Sequence, residues 1–228
     1  MVAARLPFEG MADWDHIPKP TIKRLSLYLR ELERGLNQGK SHMSSRELGL
    51  ALGYADTQVR KDLGCFGQFG QSGVGYEMSS LAIVLRAILG KNQKWKAALI
   101  GAGKIGQALI GYAQFAQEGY EIVAVFDNDR SIVGTTIEGH TISPMQDLSR
   151  IIREKDILLG IVAVPMGAAQ IVANDLVEAG VLGILNLAPV HLEVMDQVSV
   201  VSVDFTVAIE QLGFKVSRKM EESINEDA

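Results

Sequence analysis

Ala97-Ala98-Leu99-Ile100-Gly101-Ala102-Gly103-Lys104-Ile105-Gly106 is the stretch whose reading decides the fold. The four apolar residues read as a short buried strand, the glycines follow at once, and a helical run then extends through Gln117 to Gly119. Glycines are common in turns, so the spacing alone is weak; its context gives it content. A second apolar strand, Glu121–Phe126, ends in Asp127, which lies 21 residues beyond Gly106. Each residue type has a chemical reason. Gly101 permits a tight turn, Gly103 lets backbone approach a pyrophosphate, and Gly106 lets helix and strand pack closely. The loop residues Ala102, Lys104 and Ile105 open a helix whose free N–H groups favour an anion. Asp127 can accept from a ribose 2′-hydroxyl and would repel a 2′-phosphate, so NADH and NAD+ are expected rather than the phosphorylated pair. Lys104 either adds charge near the pyrophosphate or is a solvated helix lysine.

Working outward toward the C-terminus, Ile157–Val164, Leu182–Leu187 and Val198–Val203 read as further strands separated by helical segments. Such alternation implies a doubly wound parallel sheet, covered on both faces, of Rossmann type. A helix near Phe205–Phe214 carries Phe205, Val207, Ala208, Ile209, Leu212 and Phe214 on more than one face, so it needs a partner surface. The tail after Phe214 is polar and is expected to fray.

Outward toward the N-terminus the pattern changes. Residues 1–17 show no period and are expected to be a mobile lead-in. Pro18 and Pro20 break the chain, and Thr21 can cap a helix whose inward face is Ile22, Leu25, Leu29, Leu32 and Leu36. Ser44-Ser45-Arg46-Glu47 reads as a capping box. Asp56 or Thr57 caps a third helix with Val59 and Leu63 inward and Gln58, Arg60 and Lys61 outward. The glycine-rich run from Gly64 to Tyr76 reads as a β-hairpin, and a further helix uses Leu81, Val84, Leu85, Ile88 and Leu89. Together these predict a winged helix-turn-helix with helix 57–63 in the major groove. Gln58 is the candidate base reader, while Arg60 and Lys61 are expected on phosphate, with base reading by either left open.

The 228 residues allow one large domain or two small ones, and 47% hydrophobic with 21% charged residues is a globular composition. Residues 1–96 carry 14 Lys+Arg against 9 Asp+Glu, whereas residues 97–228 carry 8 against 18. Only the basic front suits a polyanion. No apolar run is long enough for a bilayer and no signal pattern opens the chain, so a soluble cytoplasmic protein is expected. The lone Cys65 excludes an internal disulfide and a cysteine metal cluster, and reads as an inert small apolar residue rather than a redox thiol. No metal is expected. An enzyme would need a substrate pocket with an acid or base, yet only 24 residues follow Asp204. His16, His42 and His140 read as loop or turn residues, and His191 as a loop histidine rather than a catalytic one.

Both halves resemble the Rex family of redox-sensing transcriptional repressors, from about Pro18 to Phe214. The segments that carry the resemblance are Ile17-Pro18, Arg24-Leu25, Tyr28-Leu29-Arg30, Val59-Arg60-Lys61-Asp62-Leu63, Phe66-Gly67 and Gly73-Val74-Gly75-Tyr76. The Gly101–Gly106 loop, Gly183-Ile184-Leu185-Asn186 and Val203-Asp204-Phe205 complete them. The resemblance implies four segments: a lead-in (1–17), a winged-helix DNA-binding domain (18–92), a Rossmann NAD(H)-binding domain (93–204), and a C-terminal helix with a polar tail (205–228). That helix would be exchanged within a homodimer. The resemblance implies no catalysis, a palindromic double-stranded operator as partner, and release of that DNA when NADH closes the dimer. Beyond the glycine loop and Asp127 it places Tyr112, Val164, Pro165, Asn186, Asp204 and Phe205 at the nucleotide. It places Ser44, Ser45, Phe66, Gly67, Ser72 and Gly73 at DNA alongside Gln58, Arg60 and Lys61, and pairs Arg30 with Asp204 as the switch. Two departures stand out: Gln71-Ser72 where such wings carry Lys or Arg before the glycine, and Leu187 where phenylalanine often follows the asparagine. The competing readings are a small NAD-dependent oxidoreductase with a regulatory front domain and a coenzyme A-type nucleotide-binding module.

Overall fold

The computed structural model describes residues 17–71 and 73–226, without the side chains of Lys19 and residues 223–226. The expected lead-in (apart from Ile17), His16 and Ser72 therefore lie outside the described residues. Two compact units meet between Gln93 and Lys94.

In the first unit α1 (Lys19–Asn37) starts from Pro18 as its N-cap. Pro18 supplies extended backbone and Pro20 fits the first turn, where no N–H is needed. The expected cap, Thr21, instead lies inside the helix with its hydroxyl buried against Asp62. The inward face is Leu25, Tyr28, Leu29 and Leu32, all fully buried, while Ile22 is left exposed. Tyr28 displaces an aliphatic residue there because its hydroxyl also reaches Asp62. A short β1 (His42–Met43), which the sequence pattern did not flag, leads to α2 (Ser45–Leu52). The capping box is present: the Ser44 hydroxyl accepts from the Glu47 N–H, and Glu47 accepts from the Ser44 N–H. Next comes α3 (Asp56–Gly64), whose N-cap is Ala55, so Asp56 is the first helical residue rather than the cap. The hairpin is β2 (Gly70–Gln71) and β3 (Gly75–Glu77), and β1 pairs with β3 to make a three-stranded sheet. From it α4 (Met78–Ile88) begins with the Glu77 carboxylate capping the Ser79 and Ser80 N–H groups. Leu48, Val59, Leu63, Met78, Leu81 and Leu85 close the core against α1.

In the second unit β4 (Trp95–Ile100) feeds α5 (Lys104–Ile110). The single helix expected through Gln117 breaks at Gly111-Tyr112 and resumes as α6 (Ala113–Gln117), since Gly111 is a poor interior helix residue. Then follow β5 (Tyr120–Asp127), the short β6 (Thr136–Ile137) and β7 (His140–Pro144). His140 thus opens a strand rather than a loop. The chain continues through α7 (Leu148–Glu154), β8 (Leu159–Val162), α8 (Met166–Ala179), β9 (Gly183–Asn186), β10 (Ser199–Ser202) and α9 (Phe205–Glu226). Strand order is β10-β9-β8-β4-β5-β7-β6, parallel except for β6 on β7. The order reverses between β4 and β8, so a crevice opens beyond their C-terminal ends.

One sheet face packs on α7 and α8 through residues such as Phe126, Ile152, Val162, Val172 and Leu176. Leu99, Ile122, Val125 and Ile161 fill the other face, where Leu109, Ile110 and Phe115 from α5 and α6 cover part of it. Among the described residues this cover stops toward β9 and β10. A cavity of about 440 Å³ there is bounded by Phe115, Leu159, Ile161, Leu185 and Val201 and is almost wholly apolar. The tail does not fray after Phe214: α9 runs on to Glu226, because Val216 and Met220 extend its apolar spacing. From Phe205 to Glu222 every residue of α9 is exposed, including Ile209 at 67% and Phe214 at 69%.

Candidate nucleotide cleft and nucleic-acid interface

The crevice at the strand-order reversal is a cleft of about 270 Å³, lined by Gly101, Gly103, Asp127, Val164 and Pro165 together with Asn128, Met145 and Ala168. Its floor is set by close backbone approach. Gly101 has φ +98°, and a Cβ there would stand 2.5 Å from the Ala163 carbonyl. A Cβ on Gly106 would stand 1.9 Å from the Gly101 carbonyl oxygen, so helix and loop touch only because no side chain intervenes. Gly103, the N-cap of α5, differs: a Cβ there meets nothing within 4 Å. The open space at Gly103 belongs to the cleft and is available to a ligand, which fits a dinucleotide phosphate against the first turn of α5.

Asp127 ends β5 with both oxygens engaged. Oδ2 accepts from the Ala102 N–H at 2.7 Å and Oδ1 from the Asp129 N–H at 2.9 Å. Each oxygen keeps a free lone pair, so the carboxylate can still accept from a ribose hydroxyl. The Gln107 amide holds the Ala102 carbonyl at 2.8 Å, which further fixes the loop. Lys104 and Ile105 are exposed on the outer side of α5. Asn128, Met145 and Ala168 were not flagged by the sequence. They arrive from the turn after β5, from the short 3-10 turn that precedes α7 and from the first turn of α8, and only the order of strands brings them here.

Other nucleotide candidates lie elsewhere. Asn186 is fully buried, its amide donating to the Val190 carbonyl and the Ser202 hydroxyl and its oxygen accepting from the Ala188 N–H. These bonds tie the end of β9 to the loop after it and to β10. Tyr112 stands half-exposed at the break between α5 and α6, edge-on to Phe115 at 5.2 Å. Asp204 caps α9, accepting from the Thr206 and Val207 N–H groups, and Phe205 is exposed on its first turn.

In the first unit a groove of about 660 Å³ runs between α3 and the hairpin, lined by Ser44, Ser45, Arg60, Gly67, Gln71 and Gly73. Arg60 and Lys61 are exposed as expected. Gln58, expected to face outward, is half-buried, and its amide donates to Asp62 Oδ1 at 2.9 Å. The pull is tertiary, since Asp62 is buried and also accepts from Thr21, Arg24 and Tyr28. Burial raises its pKa, but the hydrogen bonds from Arg24, Tyr28 and Gln58 outweigh that and hold it below the usual aspartate range. Phe66 is 3% exposed and part of the core. Cys65 is exposed rather than apolar filling, with its thiol on the Lys61 carbonyl. Among the described residues no group of three or more His, Cys, Asp or Glu could hold a metal, and no helix is long and apolar enough to cross a membrane.

Comparison with known proteins agrees with this division. Residues 16–64 match the family described as putative DNA-binding protein N-terminus, and residues 92–190 match the CoA binding domain family. The chain is 45% identical over 202 residues to the redox-sensing transcriptional repressor Rex of Carboxydothermus hydrogenoformans, covering 89% of this chain and 97% of that one. It is 40% identical to the same repressor of Thermotoga petrophila, covering 90% and 98%. Among solved structures, RSP in complex with β-NAD+ and operator DNA superposes with TM-score 0.85 at 31% identity, covering 93% and 98%. RSP in complex with β-NADH superposes with TM-score 0.82 at 29% identity, covering 91% and 98%. With relatives this similar over nine-tenths of its length, the chain belongs to the Rex family of redox-sensing transcriptional repressors.

Proposed function

We propose that the chain is a DNA-binding repressor of the cytoplasm that reads the NADH/NAD+ ratio, binding a palindromic operator as a homodimer and releasing it when NADH binds. The observation that carries this reading is one chain holding both a winged helix with a basic outer face and a cleft with Asp127 at its rim. Asp127 also speaks against the coenzyme A reading, because an acid at the end of the second strand suits a free ribose 2′-hydroxyl. Apart from Asp127, the described cleft residues supply no acid or base for hydride chemistry, and the relatives are named as repressors, so an oxidoreductase is not favoured.

The homodimer follows from two incomplete surfaces. A helix with exposed Phe205, Ile209, Leu212 and Phe214 needs an apolar partner, and among the described residues the sheet face near β9 and β10 lacks cover. Exchange of α9 between two copies satisfies both. NADH offers a neutral ring to a closed apolar pocket, whereas the cationic oxidised ring carries a desolvation cost there. Arg30 is exposed on α1, and Asp204 keeps acceptor capacity beyond its cap, so the two are the proposed ion pair of the switch. Moving such a dimer from 99:1 to 1:99 takes about 5.5 kcal/mol of differential affinity, which two sites share.

Mobility-shift titration on palindromic promoter DNA, with NADH and NAD+ added separately, tests the proposal. NADH should release the DNA and NAD+ should not. By linkage, saturating operator must weaken NADH binding by the same factor, and equal NADH affinities with and without operator would falsify the switch.

A further inference from the structure

The recognition helix carries an exposed arginine that is already held in place. Arg60 Nη1 donates to Asp56 Oδ2 at 2.6 Å, one turn back on α3, and to Ser45 Oγ at 3.1 Å on α2. A single nitrogen thus bridges two helices, and the side chain remains 53% exposed at the edge of the groove beside the hairpin. Among the described residues Nε and Nη2 make no hydrogen bond, which leaves a planar pair of donors unspent on a half-exposed side chain.

Two physical effects separate this arginine from its neighbour. A carboxylate 2.6 Å away offsets most of the charge that a phosphate would seek, and it repels the phosphate itself. A base edge is neutral and suffers no such repulsion. Base recognition needs orientation, and a fork fixed by two acceptors has lost little further freedom when it meets the two acceptors of guanine. Lys61 is exposed and, among the described residues, has no carboxylate partner, so it keeps the full charge that suits phosphate. Gln58, the other polar side chain suited to reading bases, is committed to Asp62.

We propose that Arg60 is the residue through which α3 discriminates base sequence, with Asp56 and Ser45 as its positioning residues, and that a guanine edge is what it reads. The inference rests on the proposed DNA binding. Asp56 therefore lowers affinity for DNA in general while sharpening preference for one base pair in each half-site.

The test is a binding panel in which each base pair of the half-site is replaced, measured across a range of salt concentrations with the full-length protein. For Arg60→Ala, discrimination at one G·C position should fall by about tenfold or more, with the salt slope unchanged. Lys61→Ala should lower the slope by about one unit per half-site and leave discrimination intact. Arg60→Lys should keep the charge and still lose the discrimination. Asp56→Ala should tighten binding to unrelated DNA while relaxing preference at the same position as Arg60→Ala, and its circular dichroism melt serves as the folding control. An Arg60→Ala protein whose slope falls while its preference survives overturns the inference, as does an Asp56→Ala protein with unchanged preference. A wild-type chain that retains no DNA at all overturns the proposed function itself, a separate result from either.

Discussion

The backbone N–H of Ala102 donates to Asp127 Oδ2 across 2.7 Å, tying the glycine loop after β4 to the end of β5. One carboxylate therefore has two jobs. It holds the loop in shape before any ligand arrives, and it presents its remaining lone pairs to whatever lies in the cleft.

Asp127→Ala is expected to weaken NADH by about tenfold or more, the scale of a hydrogen bond to a charged group. NADPH should lose less, because a repulsion disappears along with the acceptor. Paired calorimetric titrations decide this, and equal losses for the two nucleotides would count against the assignment.

The glycine loop allows two opposite outcomes from similar changes. At position 106 a Cβ collides with backbone, so Gly106→Ala should lower the melting temperature by several degrees. At position 103 a Cβ meets only open space, so Gly103→Val should melt almost like the parent yet fail to bind NADH. Thermal melts with a fluorescence titration of NADH separate the two.

Asp62→Ala should destabilise the first unit by about 3–5 kcal/mol, since it leaves the Arg24 guanidinium and the Tyr28 hydroxyl without their buried acceptor. The sign with pH follows from the lowered pKa in the fold. The stabilisation is complete above the ordinary aspartate value of 3.8 and is lost as pH falls through the lower folded value. Melts of parent and variant should therefore converge in strong acid and diverge toward neutrality. A constant gap across that range would show that the carboxylate charge plays no part.

Removing the chain from Ala208 onward should convert a dimer to a monomer in light scattering. Replacing Ile209 and Phe214 by serine should do the same with the helix retained. The parent's melting temperature should rise with protein concentration, as it must when folding and association are coupled. A full-length monomer would sink the dimer.

Local signals were readable in the sequence because they depend on a few adjacent residues. Ser44 and Glu47 make a capping box wherever they begin a helix, and Gly101, Gly103 and Gly106 dictate a turn without help from elsewhere. Side-chain direction was less readable. Gln58 turns inward because Asp62 is buried by α1, and Asn186 is consumed by Val190, Ala188 and Ser202, contacts that sequence spacing does not reveal. Tyr28 entered the core for the same reason. The β6–β7 pair is built from strands of two and five residues, too short for a period to register. The break at Gly111 was visible as a glycine, but its effect depended on Phe115 finding the sheet.

The bare α9 bears on genetics. Where copies exchange terminal helices, a cell holding two alleles assembles mixed pairs as readily as pure ones. A copy with a ruined α3 and an intact α9 still recruits a healthy subunit, and the pair holds one good half-site reader where the palindrome demands two. A lesion in the DNA-reading surface is then dominant-negative, whereas a lesion that deletes α9 removes its product from the pool and is recessive.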